Sequence, residues 1–101
     1  MSQERRTDDR TSTNFPAMWL GTTDSNAHEA QIGDIGLGGC FVNTAAPVEW
    51  DEVITLEIQL PSGDWLPLRG EVMSYKPGKG FGLNFTFLTD DEVFALRQLV
   101  P

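Results

Sequence analysis

The chain has 101 residues, seven basic against fifteen acidic, and a formal net charge of −8 at pH 7. That length holds one modest core, so one domain is expected, and the acidic balance argues against a nucleic acid polymer as partner, because displacing counterions from phosphates needs a positive face, although a local cluster can still hold a small anion. A single cysteine, Cys40, excludes an internal disulfide, and one cysteine with one histidine cannot complete a Cys/His zinc site.

Residues 1–14 are almost wholly polar and charged, without a periodic apolar residue, and read as a mobile arm bearing Arg5, Arg6 and Arg10. Order is expected from Phe15, so that 15–101 forms the domain. "FPAMWLGTT" and "AHEAQIGDI" read as two weaker strands around the turn "DSNA", and "GGCFV" as a short third strand. In "VITLEIQL", Ile54, Leu56, Ile58 and Leu60 share one face and Thr55, Glu57 and Gln59 the other, the mark of a half-buried strand. "PSGD" supplies a turn, after which Leu66, Leu68 and Val72 alternate with Pro67, Arg69 and Glu71 to complete a hairpin.

"KPGK" sets Pro77 and Gly78 at the centre of a type II turn, since proline fixes φ near −65° and glycine accepts a positive φ. "FGLNFTF" then places Phe81, Leu83, Phe85 and Phe87 on one face, the strongest period-two signal in the chain. Thr89 opens "TDDE", a capping box in which threonine and glutamate satisfy each other's backbone amides, and a helix follows. Val93, Leu96 and Val100, with Phe94 and Leu99 beside them, form a stripe that can pack on a barrel end, and Asp90 and Asp91 complement the helix dipole. The pattern is an all-β antiparallel barrel or sandwich of six strands closed by one C-terminal α-helix.

No nucleophile with a base, paired catalytic carboxylates or metal-ligand cluster can be picked out, so an enzyme is not expected. His28 stands in a strand without a catalytic neighbour, and Cys40 reads as a buried, inert thiol. Trp50 and Trp65 lie in or beside turns, where packing over a barrel rim is expected and a partner surface is the alternative. Trp19 can pack inside or stand beside a ligand corner. No segment approaches the ~20 apolar residues that cross a bilayer and no apolar h-region follows Met1, so neither membrane insertion nor secretion is expected and the cytoplasm is the default compartment.

Chemistry concentrates in the arm and in "GDIGLGG", Gly33 to Gly39. Arg6 and Arg10 form R-x-x-x-R just before the first strand, and Asp34 and Gly39 fit D-x-S-x-x-G at the corner between the second and third strands. With the six strands, the terminal helix and the run "LPLRGEVMSYKPGKGFGLNF", this resembles the PilZ domain family over nearly the whole chain. The resemblance implies a six-stranded split β-barrel and a receptor for the bacterial second messenger cyclic di-GMP, bound as a ligand with no cofactor, through Arg6, Arg10, Asp34, Gly36 and Gly39. Arg5, Trp19 and Gly38 are further candidates.

Arginine pairs bidentately with phosphate or with guanine O6 and N7 and also stacks on a base, three interactions that lysine cannot combine. Asp34 accepts hydrogen bonds only, so it can receive guanine N1–H and N2–H or orient an arginine. Gly39 would let the backbone approach a ligand, and the amides of "GLGG" could form an anion-binding nest. The departure from the family's pattern is Gly36, where the family has serine. It removes a hydroxyl and favours the alternative, a degenerate PilZ adaptor that works through protein contacts with weak or no nucleotide binding. Either reading implies a protein effector, in motility, pili or exopolysaccharide control, and a short terminal helix suits a monomer.

Overall fold

In the computed structural model, which describes residues 11–22 and 25–99, period-two alternation becomes the two faces of one wall. Among the described residues six strands precede one helix: β1 (Thr11–Leu20), β2 (His28–Ile35), β3 (Gly39–Asn43), β4 (Val53–Gln59), β5 (Trp65–Lys76), β6 (Gly80–Phe85) and α1 (Asp90–Leu99). All neighbours are antiparallel in the order β1-β2-β3-β6-β5-β4, and β4 pairs back onto β1 to close the barrel. Closure leaves no open edge to recruit another strand.

The expected inward faces fill the interior. Ile54, Leu56 and Ile58 of β4, Leu66, Leu68 and Val72 of β5, and Phe81, Leu83 and Phe85 of β6 are buried with Cys40 and Val42 of β3. The β4–β5 turn is closed by Leu60 N–H to Asp64 O and Gly63 N–H to Leu60 O, each 2.8 Å. In "KPGK" the Lys79 amide donates to Lys76 O at 2.9 Å and Gly78 has φ 80°, the positive angle that a type II turn demands at its third position.

The helix start is the expected capping box. The Glu92 amide donates to Thr89 Oγ1 at 3.1 Å, and the Thr89 amide donates to Glu92 Oε1 at 3.0 Å. The same carboxylate receives Arg69 Nη2 of β5 on both oxygens, at 3.1 and 3.0 Å, which clasps α1 to the barrel while Leu96 seals the contact, fully buried.

Four features depart from what the sequence predicts. β1 begins at Thr11, four residues before Phe15, because Thr11 and Ser12 already pair with Ile35 and Asp34 and the Thr13 hydroxyl donates to Ile32 O at 2.7 Å. β6 ends at Phe85, and Phe87, expected on the inner face, is 85% exposed with φ 53°, since the chain leaves the barrel there to enter the helix. Trp50 and Trp65 do not pack over the rim; both stand exposed. In α1, Phe94 points to solvent beside the half-buried Val93 and Leu99, and Val100 lies outside the described residues.

Candidate functional site

β2 carries Ile32 and Ile35, both fully buried although three positions apart, a spacing that strict alternation would send to opposite faces. A bulge at Gly33 supplies the change of parity: Ile32 faces Val42 of β3, whereas Asp34 faces Phe41, so β2 holds one residue more than its partner. A Cβ at Gly33 would come within 2.9 Å of Nδ2 of the Asn43 side chain, whose flexible end would have to swing aside. Across the other edge β1 is irregular at the same level, where Thr13 and Asn14 face the single Gly33.

Asp34 emerges from this double irregularity half-buried, between Ser12 of β1 and Phe41 of β3. The chain then turns through Gly36 to Gly39, closed by the Gly36 amide donating to Gly39 O at 2.9 Å. Gly38 O accepts the Phe85 amide at 2.9 Å, and Gly39 pairs with Asn84, so the corner is tied to β6 as well. Gly36 and Gly39 are buried, and Leu37 and Gly38 are half-exposed.

An anion nest is not built here. A nest alternates right- and left-handed backbone so that successive amides converge. Among the described residues the glycines at positive φ are Gly63, Gly78 and Gly80, none of them in the corner, and the Gly36 amide is already committed to Gly39 O. The corner sets a half-buried carboxylate beside a hydrogen-bonded turn in place of a ring of free amides.

The profile of the PilZ domain matches residues 4–100. The chain belongs to the PilZ domain family. In structure it is similar to the PilZ domain of CeSA from a cellulose-synthesizing bacterium, with 19% identity, a TM-score of 0.74, and coverage of 91% of this chain and 94% of that one. It is also similar to the Bacillus subtilis inhibitor of motility MotI/DgrA, with 20% identity, a TM-score of 0.78, and coverage of 96% of this chain and 49% of that one. The third similarity is to MrkH of K. pneumonia in its complex with c-di-GMP, with 18% identity, a TM-score of 0.66, and coverage of 97% and 52%. This chain thus spans about half the length of MotI/DgrA and of MrkH. No curated protein sequence matches it significantly.

Of the residues singled out in the PilZ pattern, the structure brings Asp34, Gly36, Gly38 and Gly39 together in one corner. Arg5, Arg6 and Arg10 lie outside the described residues, although Arg10 is bonded directly to Thr11, which faces Ile35. Trp19 is not at the corner. It faces His28, seven positions along β1 from Ser12 and so roughly 23 Å away at the rise of a strand. There it is buried, with its ring centroid 4.5 Å from that of His28 and 5.1 Å from that of Phe81. Its role is in the core.

Sequence reasoning missed Ser12, the cross-strand neighbour of Asp34, because it was assigned to the arm; a run of β-branched and hydroxyl residues directly before "FPAMW" was the available signal. Among the described residues no group of three or more His, Cys, Asp or Glu gathers as a metal site, and no helix is long and apolar enough to cross a membrane.

Proposed function

We propose that this PilZ domain is a receptor for cyclic di-GMP, held between the Arg6 and Arg10 guanidiniums and the Asp34–Gly39 corner. The observation that carries the reading is the register of β1: Thr11 faces Ile35 and Ser12 faces Asp34, so the chain enters the barrel beside the corner. Arg10 Cα lies ~3.8 Å from that of Thr11, and Arg6 can be no farther than about 18 Å, by chain length alone. The family match beginning at residue 4, ahead of both arginines, supports the same reading, as does the c-di-GMP complex of MrkH.

In this mechanism Arg6 and Arg10 take the phosphates or the guanine O6 and N7 edge and stack on the bases, while Asp34 accepts from guanine N1–H and N2–H. Gly36 and Gly39 let the ligand approach the backbone, with Arg5 and Gly38 at the margin. Binding gathers the arginine segment onto the corner, and the changed barrel face alters the affinity for a protein effector in motility, pilus or exopolysaccharide control. The receptor would be cytoplasmic and monomeric, and would carry no catalytic residue.

Isothermal calorimetry at about 150 mM salt, where exposed charges are screened within ~8 Å, tests it. Cyclic di-GMP should bind saturably, GTP should not, and Arg6→Ala and Arg10→Ala should each weaken binding about ten- to a hundredfold, the worth of one charged hydrogen bond. Unchanged titrations for both variants would overturn the reading.

One observation favours a second reading, an adaptor that acts without nucleotide. Gly36 lacks the serine hydroxyl of the family pattern, and its amide is bonded to Gly39 O and so does not replace it. If the adaptor reading holds, pull-downs recover the same partner with and without cyclic di-GMP, whereas recovery that depends on the nucleotide decides for the receptor.

A further inference from the structure

On the barrel wall formed by β4, β5 and β6, the turn before β4 carries Trp50, 63% exposed, against a groove that it shares with Asp51, Glu71, Met73 and Asn84. Met73 is 56% exposed, and Val53, which faces Glu71 across the β4–β5 ladder, is 48% exposed. Three large apolar side chains therefore stand in water around two carboxylates. Neither Asp51 nor Glu71 has an ion-pair partner among the described residues.

The patch is held rigid. Glu52 is buried, and its Oε1 accepts the Glu49 amide at 2.9 Å while Oε2 accepts the Thr22 amide at 2.8 Å, which locks the turn from beneath. The Asp51 amide donates to Val72 O at 3.2 Å and the Val72 amide to Glu52 O at 3.0 Å, pinning the turn to β5. Asp51 itself holds φ 63°, a left-handed conformation uncommon outside glycine. Met73 is the extra residue of a bulge in β5, since Val72 faces Leu83 and Ser74 faces Gly82. Strain and bulges of this kind persist where they aim a side chain.

We propose that the Trp50, Val53 and Met73 platform is a docking surface for a basic peptide segment of a partner protein, one in which arginine or lysine alternates with an apolar residue. The choice of occupant follows from charge complementarity. Asp51 and Glu71 flank the groove in a chain of net charge −8, so a cation over the Trp50 ring gains from the ring face and from both carboxylates, while apolar neighbours cover Met73 and Val53. Tryptophan and methionine are enriched at such contacts, and charge on the rim steers the encounter. The surface does not depend on nucleotide binding, although Asn84, at its edge, is the ladder partner of Gly39 and places the docked segment beside the ligand corner.

The test is fluorescence anisotropy of a short labelled peptide of alternating arginine and leucine, titrated with the nucleotide-free full chain. Saturable binding is expected. Trp50→Ala and Glu71→Lys should each weaken it about tenfold or more with an unchanged Tm, as both side chains are exposed, while Trp65→Ala and Glu57→Lys should change it less than about twofold. Equal weakening by Glu57→Lys and Glu71→Lys would reduce the attraction to net charge and overturn the proposal. So would the absence of saturation, or a self-association abolished by Trp50→Ala, which would assign the platform to a second copy of this chain.

Discussion

Two turns flank β3 and solve opposite problems. The Gly36–Gly39 corner before it is closed by one backbone hydrogen bond and is built of residues without side chains, apart from Leu37. The Glu49–Glu52 turn after it is locked by a buried carboxylate that takes amides from two different segments of the chain. Glycines leave backbone open to approach and give little to hold the loop by itself, whereas a buried, hydrogen-bonded carboxylate fixes the loop and presents an exposed tryptophan. If the corner takes a small ligand and the platform a protein segment, as proposed above, the two uses call for different residues in one barrel.

The largest expected effect breaks the second turn. Glu52→Ala leaves the Thr22 and Glu49 amides without their acceptor and should cost about 2–3 kcal/mol, a fall in Tm of about 10 to 20 °C by calorimetry. Glu52→Gln keeps one acceptor oxygen but turns an NH2 donor toward the other backbone amide, so it should lose at least half as much. Next comes the corner. Arg10→Ala should weaken cyclic di-GMP binding about ten- to a hundredfold while leaving Tm in the absence of ligand unchanged.

Gly36→Ser sharpens the contrast from the other side. Restoring the hydroxyl should tighten nucleotide binding about threefold or more, read by calorimetry, with no effect on binding of the arginine–leucine peptide. The smallest effect is at Asp51. Replacement by glycine removes the cost of φ 63° but adds backbone entropy to the unfolded chain, so Asp51→Gly should alter stability by no more than about 0.5 kcal/mol in a denaturant titration.

Much of the barrel was legible because its signals are local. Alternation marked β4, β5 and β6, "PSGD" and "KPGK" marked their turns, and Thr89 and Glu92 marked the helix start within one turn of chain. Bulges were not legible. A single extra residue at Gly33 or Met73 reverses inside and outside for the rest of a strand, and only the partner's register shows it. Phe87 extended a period that the chain abandons after Phe85.

At the site, Asp34, Gly36 and Gly39 could be named from spacing and resemblance to the PilZ family, yet the facing of Ser12 and Asp34 needed the ladder between β1 and β2. Trp19, which the sequence leaves open between the interior and the corner, belongs to the core at the far end of β1. The Arg69–Glu92 clasp and the Glu52 lock join residues 23 and 30 positions apart, a separation at which no local pattern operates.

The most direct measurement is a two-dimensional ¹H–¹⁵N titration of the full chain with cyclic di-GMP. Saturable shifts centred on Ser12 and on the amides of Asp34 to Gly39, with the amides of Trp50 and Asp51 unmoved, are the predicted result. Shifts that fail to saturate, or that gather away from the corner, would contradict the assignment of cyclic di-GMP to it.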